Sequence, residues 1–154
     1  MRAVVQRVTT ARVAWTDSEP RSQEIGCGVV ILLGIGPTDL PADAAKLANK
    51  LMALRIFPGP QGAGELSLLE VAGEALVVSQ FTLYADTSRG RRPSFVGAGP
   101  PSLATFLCDE FVSRMANAGI ATRTGKFGAQ MELALTNDGP FTLVLSTDPW
   151  ETTI

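Results

Sequence analysis

The sequence predicts an α+β fold, a sheet with two helices packed against one face. Two observations predict it. Apolar strand-like runs precede each of two segments with helical periodicity, and alternating runs open and close the chain. The predicted order is therefore two strands, strand–helix twice, then a strand pair. Neither an internal repeat beyond the two strand–helix units nor a linker composition divides the 154 residues, so one domain spanning 1–154 is expected.

Residues 3–8 (AVVQRV) and 12–15 (RVAW) read as two short strands around a Thr9-Thr10 turn. The run 28–36 (GVVILLGIG) is apolar on both faces and reads as a central, doubly covered strand. Pro41 to Phe57 reads as a helix, with Asp39 as cap, Pro41 in the first turn and Ala44, Leu47, Ala48, Leu51 and Leu54 on one face. Pro58-Gly59-Pro60 is expected to end it, and residues 61–64 to form a loop. A strand over Ala75–Tyr84 follows. The second helix is expected from about Ser102 to Ala118, with Leu103, Phe106, Leu107, Phe111 and Met115 as its core stripe and Gly119 as terminator. Residues 130–136 (QMELALT) and 141–146 (FTLVLS) both alternate, and read as a hairpin around Asn137-Asp138-Gly139-Pro140.

Composition removes several kinds of chemistry. The chain has no histidine and only two cysteines, Cys27 and Cys108, far apart. A Ser-His or Cys-His pair and an imidazole or thiolate zinc site are thereby excluded within one chain. The longest apolar run, Val29 to Ile35, is too short to span a bilayer, and Arg2, Gln6, Arg7 and Arg12 interrupt the N-terminal region. A cytoplasmic protein with no membrane partner is the expectation. Net charge is −2, yet Arg89 to Lys126 holds six basic residues against Asp109 and Glu110, a local patch suited to phosphates.

Two stretches could carry chemistry. Val77 to Tyr84 runs from apolar residues into Ser79, Gln80 and Thr82, and a loop with Arg89, Arg91 and Arg92 follows. A strand end exposing hydroxyls and backbone N–H groups beside a cationic loop suits a polar, phosphate-bearing ligand. An ordinary strand with a polar face and a solvated loop would read the same way. Asn137-Asp138-Gly139-Pro140 is either a plain turn or a rigid presentation of two carbonyl oxygens. Glycine and proline together can fix such a geometry.

These stretches resemble the signature segments of the D-aminoacyl-tRNA deacylase family. The likeness rests on Ser79-Gln80-Phe81-Thr82, on Gly90-x-Arg92-Pro93-Ser94-Phe95 and on Asn137-Asp138-Gly139-Pro140-x-Thr142. Gln6-Arg7-Val8, Glu24-Ile25-Gly26, Leu32-Leu33-Gly34, Arg55-Ile56-Phe57 and Thr124-Gly125-Lys126-Phe127 extend it along nearly the whole chain. The resemblance implies a barrel-like arrangement of mixed and antiparallel sheets with two helices on one face. It implies hydrolysis of the ester joining a D-amino acid to the terminal adenosine of tRNA, with glycyl-tRNA as an achiral side substrate. It also implies that no metal or organic cofactor is used, and a homodimer whose Gly139-Pro140 segment, cis in the family, enters the partner's active site. By position, Ser79, Gln80, Phe81 and Thr82 line the aminoacyl-adenosine pocket, Gly139 and Pro140 form the chiral screen, and Arg7 and Met131 support them. Arg89, Arg91, Arg92 and Lys126 are the candidate phosphate contacts. The chain departs from the family pattern at Leu66-Ser67, where Met-Asn is usual, and at Phe141, where valine is frequent.

No base is evident to activate the Thr82 hydroxyl, so backbone N–H groups around Phe81-Thr82 are the expected oxyanion donors. The terminal ribose 2′-hydroxyl is then expected to orient or activate the attacking water. Two other classes stay open: a non-catalytic tRNA-binding or editing-accessory module, and a small-molecule esterase using Thr82.

Overall fold

Strand β1 (Arg2–Thr16) runs unbroken through the predicted Thr9-Thr10 turn, and most of the sheet is hung on it. The computed structural model describes residues 1–149. Spacing explains the misreading. Ala3 and Val5 pack on one side of β1, while Val8, Ala11 and Val13 pack on the other. Val8 and Ala11 are three residues apart yet share a face, which strict alternation forbids. One extra residue is absorbed at the exposed Thr9 and Thr10, where the pairing register shifts. The polar pair is an irregularity within a strand.

Three strands pair with β1. Strand β2 (Pro20–Ile25), not anticipated from the sequence, lies antiparallel to its second half. Strand β3 (Gly28–Gly34) lies antiparallel to its first half and is buried along nearly its whole length, as the apolar run predicts. Strand β8 (Met131–Ser146) lies along both halves, from Trp15 opposite Met131 to Arg2 opposite Ser146. The predicted hairpin is thus one strand. Its two alternating runs both pair with β1, and residues 137–140 interrupt the ladder without reversing the chain.

Helix α1 (Pro41–Ala53) ends earlier than predicted. Leu40 is its N-cap, and the Asp43 carboxylate accepts the Leu40 N–H at 2.9 Å. Asp39 is instead drawn inward to the Met1 ammonium. Past the helix, β4 (Arg55–Gly59) pairs antiparallel with β5 (Gly62–Ser67), so Pro58 to Gly64 forms a hairpin end and not a helix stop. Strand β6 (Glu74–Ser79) joins β3 in parallel, and a 3₁₀ turn over Phe81–Tyr84 replaces the rest of the predicted strand. Helix α2 (Pro101–Asn117) leads through Gly119, at φ +92°, into β7 (Thr122–Thr124), parallel to β6. Within the predicted stripe of α2, Phe106 is 50% exposed, whereas Leu107, Phe111 and Met115 are fully buried.

Alternation on β3 and β6 divides the core. Val29, Ile31, Ala75 and Val77 face both helices, joined by Leu47, Leu51, Leu107 and Phe111. Val30, Leu76 and Val78 face the opposite way, onto Val8, Val13 and Ile25 of the strands that curl over them. The sheet therefore nearly closes on itself, with both helices on one outer face. The expected α+β, barrel-like architecture is observed.

Candidate active site

Beyond the C-terminal ends of the parallel strands β3 and β6 lies a cavity of about 730 Å³. The sequence dictates the place. Apolar β6 ends at Ser79, and the chain turns at once into the 3₁₀ segment, so Ser79, Gln80 and Phe81 stand at its mouth. Pro100 and Pro101, which start α2, form a second wall, and Met131 and Leu133 of β8 a third. Phe81 is 58% exposed and meets Phe95 edge-on, with ring centroids 5.0 Å apart.

A 3₁₀ turn leaves its first N–H groups without internal acceptors. Here the Gln80 N–H donates to the Leu33 carbonyl at 2.8 Å, and the Leu83 N–H closes onto the Gln80 carbonyl at 3.3 Å. Among the described residues, no acceptor meets the Phe81 or Thr82 N–H. Two backbone donors thus remain open at the turn that edges the cavity. The Thr82 hydroxyl accepts from the Gln80 side-chain amide and is not part of the cavity wall. An amide N–H cannot withdraw a proton from it, so nothing here makes Thr82 a nucleophile. Cys108 also lines the cavity, although nothing around it in the chain signals that place. Burial pushes its thiol up to about 12, and it stays protonated at neutral pH. No group of three His, Cys, Asp or Glu able to hold a metal occurs among the described residues.

Gly139 and Pro140 are exposed and form a separate grouping around Arg7. Between Asn137, which faces Val8, and Thr142, which faces Gln6, four residues of β8 stand opposite Arg7 alone. The excess bulges outward, and buried Arg7 holds its base. Arg7 Nε donates to the Asp138 carbonyl at 3.1 Å and lies 3.0 Å from the Asp138 carboxylate. Its Nη1 donates to the Ile56 carbonyl, and its guanidinium lies 5.2 Å from the Phe141 ring centre. Gly139 has φ +125°, a region closed to most L side chains, and a Cβ there would fall 3.1 Å from Arg7 Nη2. The Gly139–Pro140 peptide is cis.

The structure therefore brings together Ser79, Gln80, Phe81 and Met131, with Thr82 beside them. Arg7, Gly139 and Pro140 are brought together elsewhere on the chain. Arg89, Arg91 and Arg92 are exposed on a loop closed at its base by the paired backbones of Asp86 and Ser94. Its continuation through Phe95 and Val96 reaches the cavity. Lys126 lies 4.0 Å from Asp17 and precedes the cavity residue Phe127. No helix among the described residues is long and apolar enough to cross a membrane.

Comparison with known proteins agrees with this geometry. A protein-family model described as D-Tyr-tRNA(Tyr) deacylase matches residues 4–146. A D-aminoacyl-tRNA deacylase of Roseiflexus sp. (strain RS-1) is 54% identical over 145 residues, covering 94% of this chain and 92% of the relative. Another from Herpetosiphon aurantiacus is 47% identical over 151 residues, covering 98% and 97%. Among solved structures, a c-Myc DNA unwinding element binding protein superposes with a TM-score of 0.86 at 34% identity, covering 97% of this chain and all of that one. A probable eukaryotic D-amino acid tRNA deacylase, at 18% identity and a TM-score of 0.81, shares the fold over 94% and 97% of the two chains. By a match spanning almost its whole length, the chain belongs to the D-Tyr-tRNA(Tyr) deacylase family.

Proposed function

We propose that the protein hydrolyses the ester between a D-amino acid and the terminal adenosine of tRNA, without metal or cofactor. The observation that carries this reading is the pair of unoccupied N–H groups at Phe81 and Thr82, beside a cavity able to take an aminoacyl-nucleoside end. As water adds to the ester carbonyl, its oxygen gains negative charge, and fixed backbone donors stabilise that charge without reorganising. Collapse of the adduct breaks the bond to the ribose oxygen and releases the amino acid and the tRNA. The neighbouring 2′-hydroxyl of the ribose orients the water, so no histidine is needed. Ser79, Gln80 and Met131 hold the aminoacyl-adenosine by forming the cavity wall.

In this reading the working unit is a homodimer in the cytoplasm. Gly139 and Pro140 of one copy enter the other's cavity and leave no room for an L side chain. Glycyl esters pass the same screen. Arg89, Arg91, Arg92 and Lys126 meet tRNA phosphates, which gives a salt-dependent affinity.

The test is hydrolysis of D-tyrosyl-tRNA beside L-tyrosyl-tRNA at equal enzyme, with chelator present. Loss of the D ester alone is expected. Loss of both esters points to a general esterase and removes the role given to Gly139-Pro140. Loss of neither, from folded protein, leaves a tRNA-binding accessory module.

A further inference from the structure

The 3₁₀ turn that presents the Phe81 and Thr82 donors is held from behind by residues outside the cavity wall. Four residues of 3₁₀ helix have little stability of their own, so their orientation depends on their anchors. Gln80 anchors the near end through Leu33, as described above. At the far end, Arg2 Nη1 donates to the Leu83 carbonyl at 2.9 Å. The same guanidinium lies 4.3 Å from the centre of the buried Tyr84 ring.

Bare backbone also lies against that ring and the turn. A Cβ at Gly36 would fall 2.9 Å from the Tyr84 hydroxyl oxygen, and one at Gly34 would fall 3.1 Å from Leu83 Cβ. The Tyr84 hydroxyl donates to Asp39 Oδ2 at 3.4 Å. Asp39 is itself fixed by the Gly36 N–H at 2.6 Å and the Met1 ammonium at 2.5 Å. The seat is therefore rigid, and the Leu83 carbonyl of the turn bolted to it is polarised by a cation. A cation on the Leu83 carbonyl reinforces the peptide dipoles in the sense that leaves the open N–H groups more positive.

We propose that Arg2 and Tyr84 are positioning residues for the reaction. They fix and polarise the turn, and so set how well the Phe81 and Thr82 N–H groups meet the developing oxyanion. This rests on the reaction proposed above. Neither residue needs to touch the substrate, so their contribution belongs in kcat and not in KM.

The experiment compares wild type with Arg2→Met, Arg2→Lys and Tyr84→Phe by steady-state deacylation of D-tyrosyl-tRNA and by ¹H–¹⁵N spectra of the free proteins. Arg2→Met is expected to lower kcat about tenfold with KM held within about twofold, as expected for misplaced donors. It should also move the Phe81 and Thr82 amide resonances. Arg2→Lys, which keeps a cation, should recover part of the loss, and Tyr84→Phe should cost about threefold. Wild-type kcat in folded Arg2→Met, a loss confined to KM, or unmoved Phe81 and Thr82 amides would each overturn the proposal. Should Arg2→Met not fold, Tyr84→Phe decides, since it removes one oxygen only; unchanged kcat and amides then overturn it. A wild-type protein inactive on the ester would overturn the proposed reaction, while the amide shifts would still decide whether Arg2 holds the turn.

Discussion

Arg7→Met isolates what holds the exposed Gly139-Pro140 segment in place. The substitution keeps a long side chain but removes every donor. The Arg7 bond to the Ile56 carbonyl is buried, and a hydrogen bond from a charged group is worth about 1.5–3 kcal/mol net. The bond to the Asp138 carbonyl is partly buried and adds a further contribution. The Asp138 carboxylate is 37% exposed, so its ion pair is screened and contributes less than about 1 kcal/mol. Contact with the Phe141 ring is worth about 0.5–1 kcal/mol, part of which methionine restores. The total is a loss of about 3 kcal/mol, or about 1.5 M in urea midpoint for a slope near 2 kcal/mol/M.

Urea unfolding followed by far-UV circular dichroism measures this at one fixed protein concentration, because association would shift the midpoint. Deacylation of D-tyrosyl-tRNA, under conditions where the variant is folded, measures the functional part. The expected result is a lower midpoint together with a loss of turnover, since the proposed reaction needs the segment that Arg7 holds. A midpoint within about 0.25 M of wild type, or about 0.5 kcal/mol at that slope, would show that bound water replaces Arg7 and that the bulge holds itself.

Phe81→Pro deletes one open donor at the first position of the turn, where a helix tolerates proline, and is expected to lower kcat about 10²- to 10³-fold. Phe81→Ala and Thr82→Ala keep both N–H groups and should retain substantial activity; equal losses in all three would defeat the backbone-donor reading. Gly139→Ala forces a Cβ against Arg7 at φ +125° and should cost about 1–3 kcal/mol, read as a lower melting temperature alongside reduced D-ester hydrolysis. Stability should also fall in alkali. Cys108 titrates near 12 when folded and near 9 when unfolded, and burial beside the Asp39 carboxylate raises Tyr84 above its ordinary value. The unfolded chain therefore releases these protons first, so their contribution is complete below about pH 9 and is lost as the pH rises toward 12. Denaturant midpoints at pH 8, 9.5 and 11 should decline in that order, with Cys108→Ala flattening the slope.

How much the sequence revealed depended on whether a residue's partners are local. The doubly buried β3 and the two helices were legible because their apolar spacing is a local record of the faces they cover. Ser79 to Thr82 stood out because polar side chains end an apolar strand. The largest errors concern pairing at long range. Thr9-Thr10 and residues 137–140 carry turn chemistry, and only the length of the neighbouring strand converts one into a bulge and the other into a protrusion. Residues 55–59 looked like a helix end because β4 gains its identity from β5 alone. Cys108 and Phe127 reach the cavity from segments that nothing in their own neighbourhoods connects to Ser79. Arg7 had no visible acceptor in the sequence. Its acceptors are Ile56, where the β4–β5 register shifts, and Asp138 in the β8 bulge.

The separation of the two motifs yields the sharpest test of assembly. Gly139-Pro140 is not among the residues that line its own chain's cavity, so the proposed reaction has it act on a second copy and not on its own chain. Mixing two defective variants distinguishes these cases. In a heterodimer of Gly139→Ala with Phe81→Pro, the Gly139→Ala subunit keeps an intact donor turn and receives an intact Gly139-Pro140 from its partner. That site is whole, while the opposite site carries both lesions. Random exchange makes half the dimers mixed, each with one good site of two, so about a quarter of wild-type activity should return. If each chain used its own Gly139-Pro140, every site in the mixture would keep one lesion and nothing would return. Co-refolding the two variants and assaying D-tyrosyl-tRNA decides between trans and cis action, and a mixture no more active than its components rules out the inserted segment.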